Sequence, residues 1–299
     1  MKQRPRLILL LLLLWLAFGL RLYRLDFQSI WWDEGHSIFV AQHPIAQIPA
    51  LPAMDVHPPA YFALLHLWMG LAGESEFALR FLSTLFGLLT VALLARFAAD
   101  IARRRRGQPH RAAWLTALLA ALSPLYVAYS QEVRGYTLIT LLALLSTYAL
   151  WRLVFCSTRR RRDLLLYSVS VAACLYTHYF TIFLLLFHNL VWLVWTARRP
   201  WGDLRRRAVW WLGGQVAALA LFTPQLALAL RQVTTYANPN LQPPSLARFL
   251  SQSWQAYTVG LTIADSPARW GMAAFAIALL LSWLLLRHPL SPSPRHPIT

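Results

Sequence analysis

Eight mostly apolar runs dictate what this chain can fold into: residues 7–23, 78–99, 112–128, 135–156, 164–179, 180–197, 208–230 and 268–286. Crossing about 30 Å of hydrocarbon takes roughly 17–25 helical residues, and each run reaches or approaches that length. Backbone amides inside a bilayer find no water to bond, so such a run closes its hydrogen bonds internally as a helix. Composition agrees: 58% of the 299 residues are hydrophobic, against roughly 45–50% in an ordinary soluble domain. The expected fold class is an all-α polytopic membrane protein.

Charge orders these runs. A formal net charge of +17 would suggest nucleic acid in a soluble chain. Here the basic residues fall in short clusters between apolar runs: "RRRRGQPHR" (103–111), "RRRR" (159–162) and "RRPWGDLRRR" (198–207). No zinc-finger or RNA-recognition motif accompanies them, so positive-inside topology explains them and no nucleic-acid partner is expected. A ninth run, "PPAYFALLHLWMGLAG" (58–73), decides the count. If it does not cross, 21 of the 28 Lys and Arg lie on the cytoplasmic side with both termini, and 8 of the 11 acids lie outside. If it crossed, every later cluster would flip outward. We therefore read 58–73 as a helix in the outer interface, with Tyr61 and Trp68 at headgroup level.

The organisation that follows is an anchor at 1–23, an external loop at 24–77, and a core of six spans at 78–230. A second external segment at 231–267, a last span at 268–286 and a cytoplasmic tail at 287–299 complete it. The basic start before the first run also suits a signal peptide. No A-x-A-like cleavage site follows, and the run continues into Arg21, Tyr23 and Arg24, so an uncleaved anchor is expected. Cys156 and Cys174 both fall in apolar runs, which argues against a disulfide framework or a cysteine metal site. No 20–50-residue repeat and no inverted hydropathy halves are visible.

On this topology the chemically capable residues gather at one membrane face. The stretch "SIWWDEGHS" (29–37) places Asp33, Glu34 and His36 after the first span. His57 stands before Pro58-Pro59, Arg80 opens the second span, and Glu132, Arg134 and Tyr136 occupy a later turn. His178 lies in "THYF" between the fifth and sixth spans. Ionisable groups are expensive in hydrocarbon and usually face a bundle interior or cavity. Asp33 and Glu34 are adjacent and cannot share one helix face, so one can cap the helix while the other projects as a general base. Arg80 and Arg134 either snorkel to headgroups or hold a phosphate. His188 and Asn189, deeper in a span, suit helix–helix contacts. A divalent metal held by some of Asp33, Glu34, His36, His57 and His178 stays open, although no H-x-x-x-H spacing supports it.

The order of "RLYRLDFQSIWWDEGHS", "HPPAYFALLHLWMGLAGESEFALRFLSTLFG", "SPLYVAYSQEVRGYTL" and "THYF" resembles the GT-C superfamily of membrane glycosyltransferases. The nearest group is glycosyltransferase family 39, the protein O-mannosyltransferase-like enzymes, with lipid A aminoarabinose transferase among its bacterial members. The likeness covers about residues 20–200. It implies a GT-C helix bundle with juxtamembrane helices in the first external loop. It also implies transfer of a sugar from a polyprenyl-phosphate donor to a hydroxyl of a lipid, glycan or protein acceptor. Asp33 matches the family's presumed base and Glu34 completes its Asp-Glu signature. His57 falls at a basic-residue-Pro-Pro motif near the donor phosphate. Glu132, Arg134 and Tyr136 fall near the second acidic motif, without the Asp-x-Asp spacing of some subgroups. Arg80 and His178 join them as substrate-binding candidates; no cofactor is assigned, and a divalent metal stays open. The implied reaction is a single displacement with inversion at the external face of the bacterial inner membrane. Many members are longer, so this chain is expected to carry the catalytic core. A flippase for lipid-linked sugars, or an inactive scaffold, is the alternative reading.

Overall fold

A computed structural model describes residues 4–51, 57–105, 107–156, 160–197, 204–235, 244–260 and 265–287. Among these, every regular element is helical. They are α1 (Arg4–Leu22), α2 (Trp32–Ala41), a 3-10 turn (Ile48–Ala50), α3 (Ala60–Ala72), α4 (Glu76–Arg104), α5 (Pro109–Leu122) and α6 (Pro124–Ser130). There follow α7 (Tyr136–Phe155), α8 (Arg160–Thr177), α9 (Thr181–Thr196), α10 (Leu204–Thr235), α11 (Leu246–Thr258) and α12 (Asp265–Arg287). The chain forms two compact units, 1–122 with 126–239, and 123–125 with 240–299.

The first unit has three apolar clusters. One joins α1, α4 and α5 through Ala17, Ala95, Ala99, Ala113, Ala117 and Ala121. Methyl side chains let helix backbones approach closely, which is how helices associate when lipid is as apolar as they are. A second cluster packs α2 and α3 against the start of α4 through Val40, Tyr61, Leu65, Leu79 and Leu82, with Val133 and Leu138 beneath. The third joins α7, α8 and α10 around Tyr167 and Trp211. Leu12, Trp15, Leu119, Leu165, Phe183 and Val216 meanwhile stay at least 60% exposed. So much outward-facing apolar surface is at home in lipid and not in water, and the chain is an integral membrane protein.

Four helical stretches are long and apolar enough to cross a bilayer: Pro5–Leu22, Glu76–Arg104, Tyr136–Phe155 and Ala208–Thr235. The run expected as one span at 112–128 is instead a pair of helices, α5 and α6, bent by 62°. Pro124 lacks an N–H and disfavours helical geometry at Ser123 before it, so the helix breaks there. The pair counts as a fifth candidate. The run at 58–73 forms α3, whose 13 residues extend only about 20 Å at 1.5 Å each. That is too short to cross. Tyr61, expected at headgroup level, is 2% exposed and part of the core. The apolar neighbours that surround it on α2 and α4 could not be read from its own segment.

In the second unit, Ser245 caps α11 by accepting from the Arg248 N–H, and Trp254 meets Phe275 of α12 edge to face at 5.8 Å. Of the expected external segment 231–267, residues 236–243 and 261–264 lie outside the described residues, as does the expected tail after Arg287.

One buried cation ties the first unit together. Arg21, fully buried at the end of α1, donates to Ser130 Oγ at 3.2 Å, Ala17 O at 2.9 Å and Ala120 O at 3.2 Å. Each of its three nitrogens thus finds an acceptor, which offsets the cost of an ion in an apolar bundle. Gly87 makes room for it: a Cβ there would run into Ser130 Oγ and stand 3.2 Å from Arg21 Nε. Gly213 on α10 has nothing within 4 Å of the same position. Gly87→Ala is therefore expected to lower the melting temperature in detergent, by an overpacking cost of about 1–3 kcal/mol. Gly213→Ala should leave it unchanged or raise it through helix propensity, worth about 1 kcal/mol. Equal effects of the two would refute this packing role for Gly87.

Candidate active site

The site begins with two adjacent carboxylates at the first turn of α2. Successive helical residues point about 100° apart, so Asp33 and Glu34 part company. Glu34 turns inward and is 1% exposed, and Asp33 keeps 38% of its side chain exposed.

Glu34 meets Arg80 of α4 through both oxygens, Nε to Oε1 at 2.9 Å and Nη2 to Oε2 at 2.7 Å. Glu34 Oε1 also accepts the Val133 N–H at 2.9 Å, and Oε2 accepts the Trp31 N–H at the helix start at 3.4 Å. Arg80 Nη1 donates to Leu25 O at 3.0 Å and Gln28 O at 2.7 Å, and Nη2 to Ser29 O at 3.4 Å. These contacts occupy all five guanidinium N–H groups, so none is left over for a phosphate. A planar fork suits this bidentate work as a lysine could not.

Through the Val133 amide the same carboxylate grips the turn that carries Glu132, Arg134 and Tyr136. Ser83 Oγ donates to Arg134 O at 3.3 Å, and Thr84 Oγ1 to Ser130 O at 2.9 Å. Gln131 Nε2 reaches back to Arg21 O and Tyr23 O. Held this way, Arg134 extends to Asp33, Nη1 to Oδ2 at 3.1 Å. Its Nη2 donates to Tyr136 Oη at 3.1 Å, and the guanidinium lies 5.2 Å from the centre of the Tyr136 ring.

A cavity of about 90 Å³ opens beside this pair, lined among others by Ser37, His57, Tyr61, Arg134, Tyr136 and His178. Ligand sites commonly measure about 300–1,000 Å³, and this space is smaller than that. His178 Nδ1 accepts the Phe180 N–H at 3.2 Å, which puts the ring proton on Nε2. Burial, and secondarily the Arg134 charge, lower the His178 pKa. Both effects favour the neutral ring. The rings of His36 and His57 lie 5.6 Å apart.

Of the residues expected from sequence, His57, Arg134, Tyr136 and His178 share the cavity, with Asp33 attached through Arg134. Glu34 and Arg80 form the frame behind it. Glu132 sits in the same turn but does not line the cavity. Burial raises its pKa, with the charges of Glu34 and Asp33 adding to the effect and Arg134 opposing it. Among the described residues, no three His, Cys, Asp or Glu side chains come together as a metal site would need. Ser37 and Thr177 were not singled out, since a lone hydroxyl on a helix carries no spacing signal. Tyr61, next to His57-Pro58-Pro59, lines the cavity as well. His188 makes the helix contacts expected of it, to Thr147 Oγ1 at 3.0 Å and Tyr167 Oη at 3.4 Å, and Asn189 accepts from Trp211.

A family model described as dolichyl-phosphate-mannose-protein mannosyltransferase matches residues 56–227, more than half of the chain. The match takes in His57, Arg80, Glu132, Arg134, Tyr136 and His178, and begins after Asp33 and Glu34. No curated protein matches the chain.

Breaking the frame leaves an uncompensated buried charge. Arg80→Gln or Glu34→Gln should each destabilise the protein by about 3–5 kcal/mol, read as a melting shift in detergent. Exchanging both together should cost less than the two single losses added. Glu132 gives a prediction of opposite sign. Its carboxyl is protonated more readily in the folded state than in the unfolded one, so folded stability falls as pH rises through its raised pKa. Glu132→Gln should raise the melting temperature at neutral pH and flatten this slope, which thermal unfolding between pH 4 and 8 would reveal.

Proposed function

Because the chain belongs to the dolichyl-phosphate-mannose-protein mannosyltransferase family, and so is a membrane glycosyltransferase drawing on a lipid-linked sugar, we propose a specific reaction for its site. A sugar moves from a polyprenyl-phosphate donor to an acceptor hydroxyl on an envelope lipid, glycan or protein. The reaction takes place at the external face of a bacterial inner membrane. The observation that carries this reading is the contact of Asp33 with Arg134 at 3.1 Å beside a cavity lined by His57, Tyr136 and His178.

The chemistry follows from those positions. Asp33, partly exposed, accepts the proton of the incoming hydroxyl as its oxygen bonds to the anomeric carbon. The bond from that carbon to the phosphate oxygen breaks on the opposite face, so configuration inverts in one step. A properly placed base contributes about 10²–10⁴-fold to such a transfer. The leaving lipid phosphate gains negative charge, which fixed donors stabilise best in a site of low dielectric. Arg134 is the nearest guanidinium and His178 supplies a neutral N–H. Without donor, Arg134 pairs with Asp33; a bound phosphate competes for the same fork and leaves the carboxylate to the acceptor. Glu34 and Arg80 serve as positioning residues in this scheme, holding Asp33 and Arg134 in register.

Purified protein in lipid vesicles, supplied with a series of polyprenyl-phosphate sugars and candidate acceptors, tests the proposal by mass spectrometry of the products. Asp33→Asn should lower transfer by at least about a hundredfold while donor binding is kept. Arg134→Gln should weaken donor binding as well as turnover. Undiminished transfer by Asp33→Asn would remove the base assignment, and donor crossing the bilayer without product would favour a flippase.

A further inference from the structure

A second cavity lies at the other end of the first unit, where α1, α4 and α5 meet. It measures about 580 Å³, well within the range that holds ligands. Along α4, Arg96 stands sixteen residues from Arg80, about 24 Å at 1.5 Å per residue. The cavity is therefore separate from the catalytic face, and none of its residues has a part in the reaction above.

Its lining divides into two parts. Ala92, Ala95 and Ala99 of α4 and Ala113 of α5 present methyl groups, joined by Leu7, Leu10 and Trp114, and together they form an apolar trough. The rim is cationic, with Arg6, Arg96, Arg103 and His110. Arg96 and Arg103 are each 62% exposed and lean on one carboxylate, Asp100, at 2.9 and 2.5 Å. Asp100 is 9% exposed and also accepts the Tyr148 hydroxyl at 2.6 Å. One acid shared by two guanidiniums leaves the rim positive. Arg6 adds to it, donating to His110 Nε2 at 2.7 Å, and Trp114 Nε1 donates to Arg6 O at 3.2 Å. The trough thus begins at a fixed cationic mouth.

An apolar channel that opens on several arginines has the chemistry of an anionic lipid laid along it. The chain meets the alanines and the phosphate meets the guanidiniums. We propose that this groove is a binding site for an anionic phospholipid. One acyl chain lies along Ala92, Ala95 and Ala113, and the headgroup phosphate lies between Arg6, Arg96 and Arg103. A zwitterionic lipid carries its own cation into an already positive rim and is a poorer fit. A free phosphate gains nothing from the trough.

The test uses the full chain in nanodiscs or mild detergent, with lipid retention read by native mass spectrometry and stability by thermal unfolding. Titrated phosphatidylglycerol should be retained and should raise the melting temperature. Phosphatidylcholine and inorganic phosphate should do neither. Replacing Arg6 and Arg103 together with glutamine should weaken phosphatidylglycerol binding roughly thirtyfold. Ala92→Phe, which fills the trough and leaves every charge in place, should also weaken retention, so lost charge and lost space are read separately. Each variant is compared with its own lipid-free melting curve, which keeps a folding defect from passing as a binding defect. Equal retention of phosphatidylcholine would overturn the proposal. So would an equal response to inorganic phosphate alone, or phosphatidylglycerol binding unchanged in both variants.

Discussion

The buried pair of Glu34 and Arg80 is the interaction on which the rest of the site depends. It joins four pieces of chain at one point: the entry to α2, the loop from 25 to 29, the second long helix and the turn at 133. A buried ion pair is weak evidence for stability as such, because desolvation offsets much of its Coulomb energy. Its value here is geometric. Glu34 accepts from the Val133 amide and sits one residue from Asp33, while Val133 sits one residue from Arg134. Fixing the inner pair therefore fixes the outer pair at contact distance.

The residues around the cavity divide the electrostatic work. Arg134 brings a permanent charge, whereas burial, and secondarily that same arginine, lower the His178 pKa and so favour its neutral form. A second full cation would repel the first. A neutral N–H donor adds a hydrogen bond without that penalty. Glu132, in the same turn, experiences the opposite pressure from Glu34 and Asp33, and its carboxyl is drawn toward the protonated form. The site thus limits charge of either sign, as expected where low dielectric magnifies every unpaired ion.

Much of this was legible in sequence. Apolar run length identified a helical membrane protein, and the apolar run at 58–73 does form a helix, of 13 residues. Membership of a glycosyltransferase family agrees with the order of motifs. Less legible was the division of labour between Asp33 and Glu34, since adjacent residues in a helix differ only in the neighbours they face. Those neighbours are 46 and 99 positions away. Arg80 looked equally suited to phosphate and to headgroups, because its actual partners, the Glu34 carboxylate and three backbone carbonyls, lie 46 to 55 positions away in sequence. The bend at Pro124 was overlooked because hydropathy continues through it while helical geometry does not.

The way Arg80 uses its donors has a consequence for the segment it holds. Residues 25–29 join neither a strand nor a helix, and three of their carbonyls are met by one guanidinium. A distant side chain takes the place of a neighbouring backbone. The path of this segment is therefore written at position 80 and not in its own letters. Gln28 and Ser29 contribute main-chain oxygens that any residue would supply, so their exposed side chains are released from the work of holding the segment.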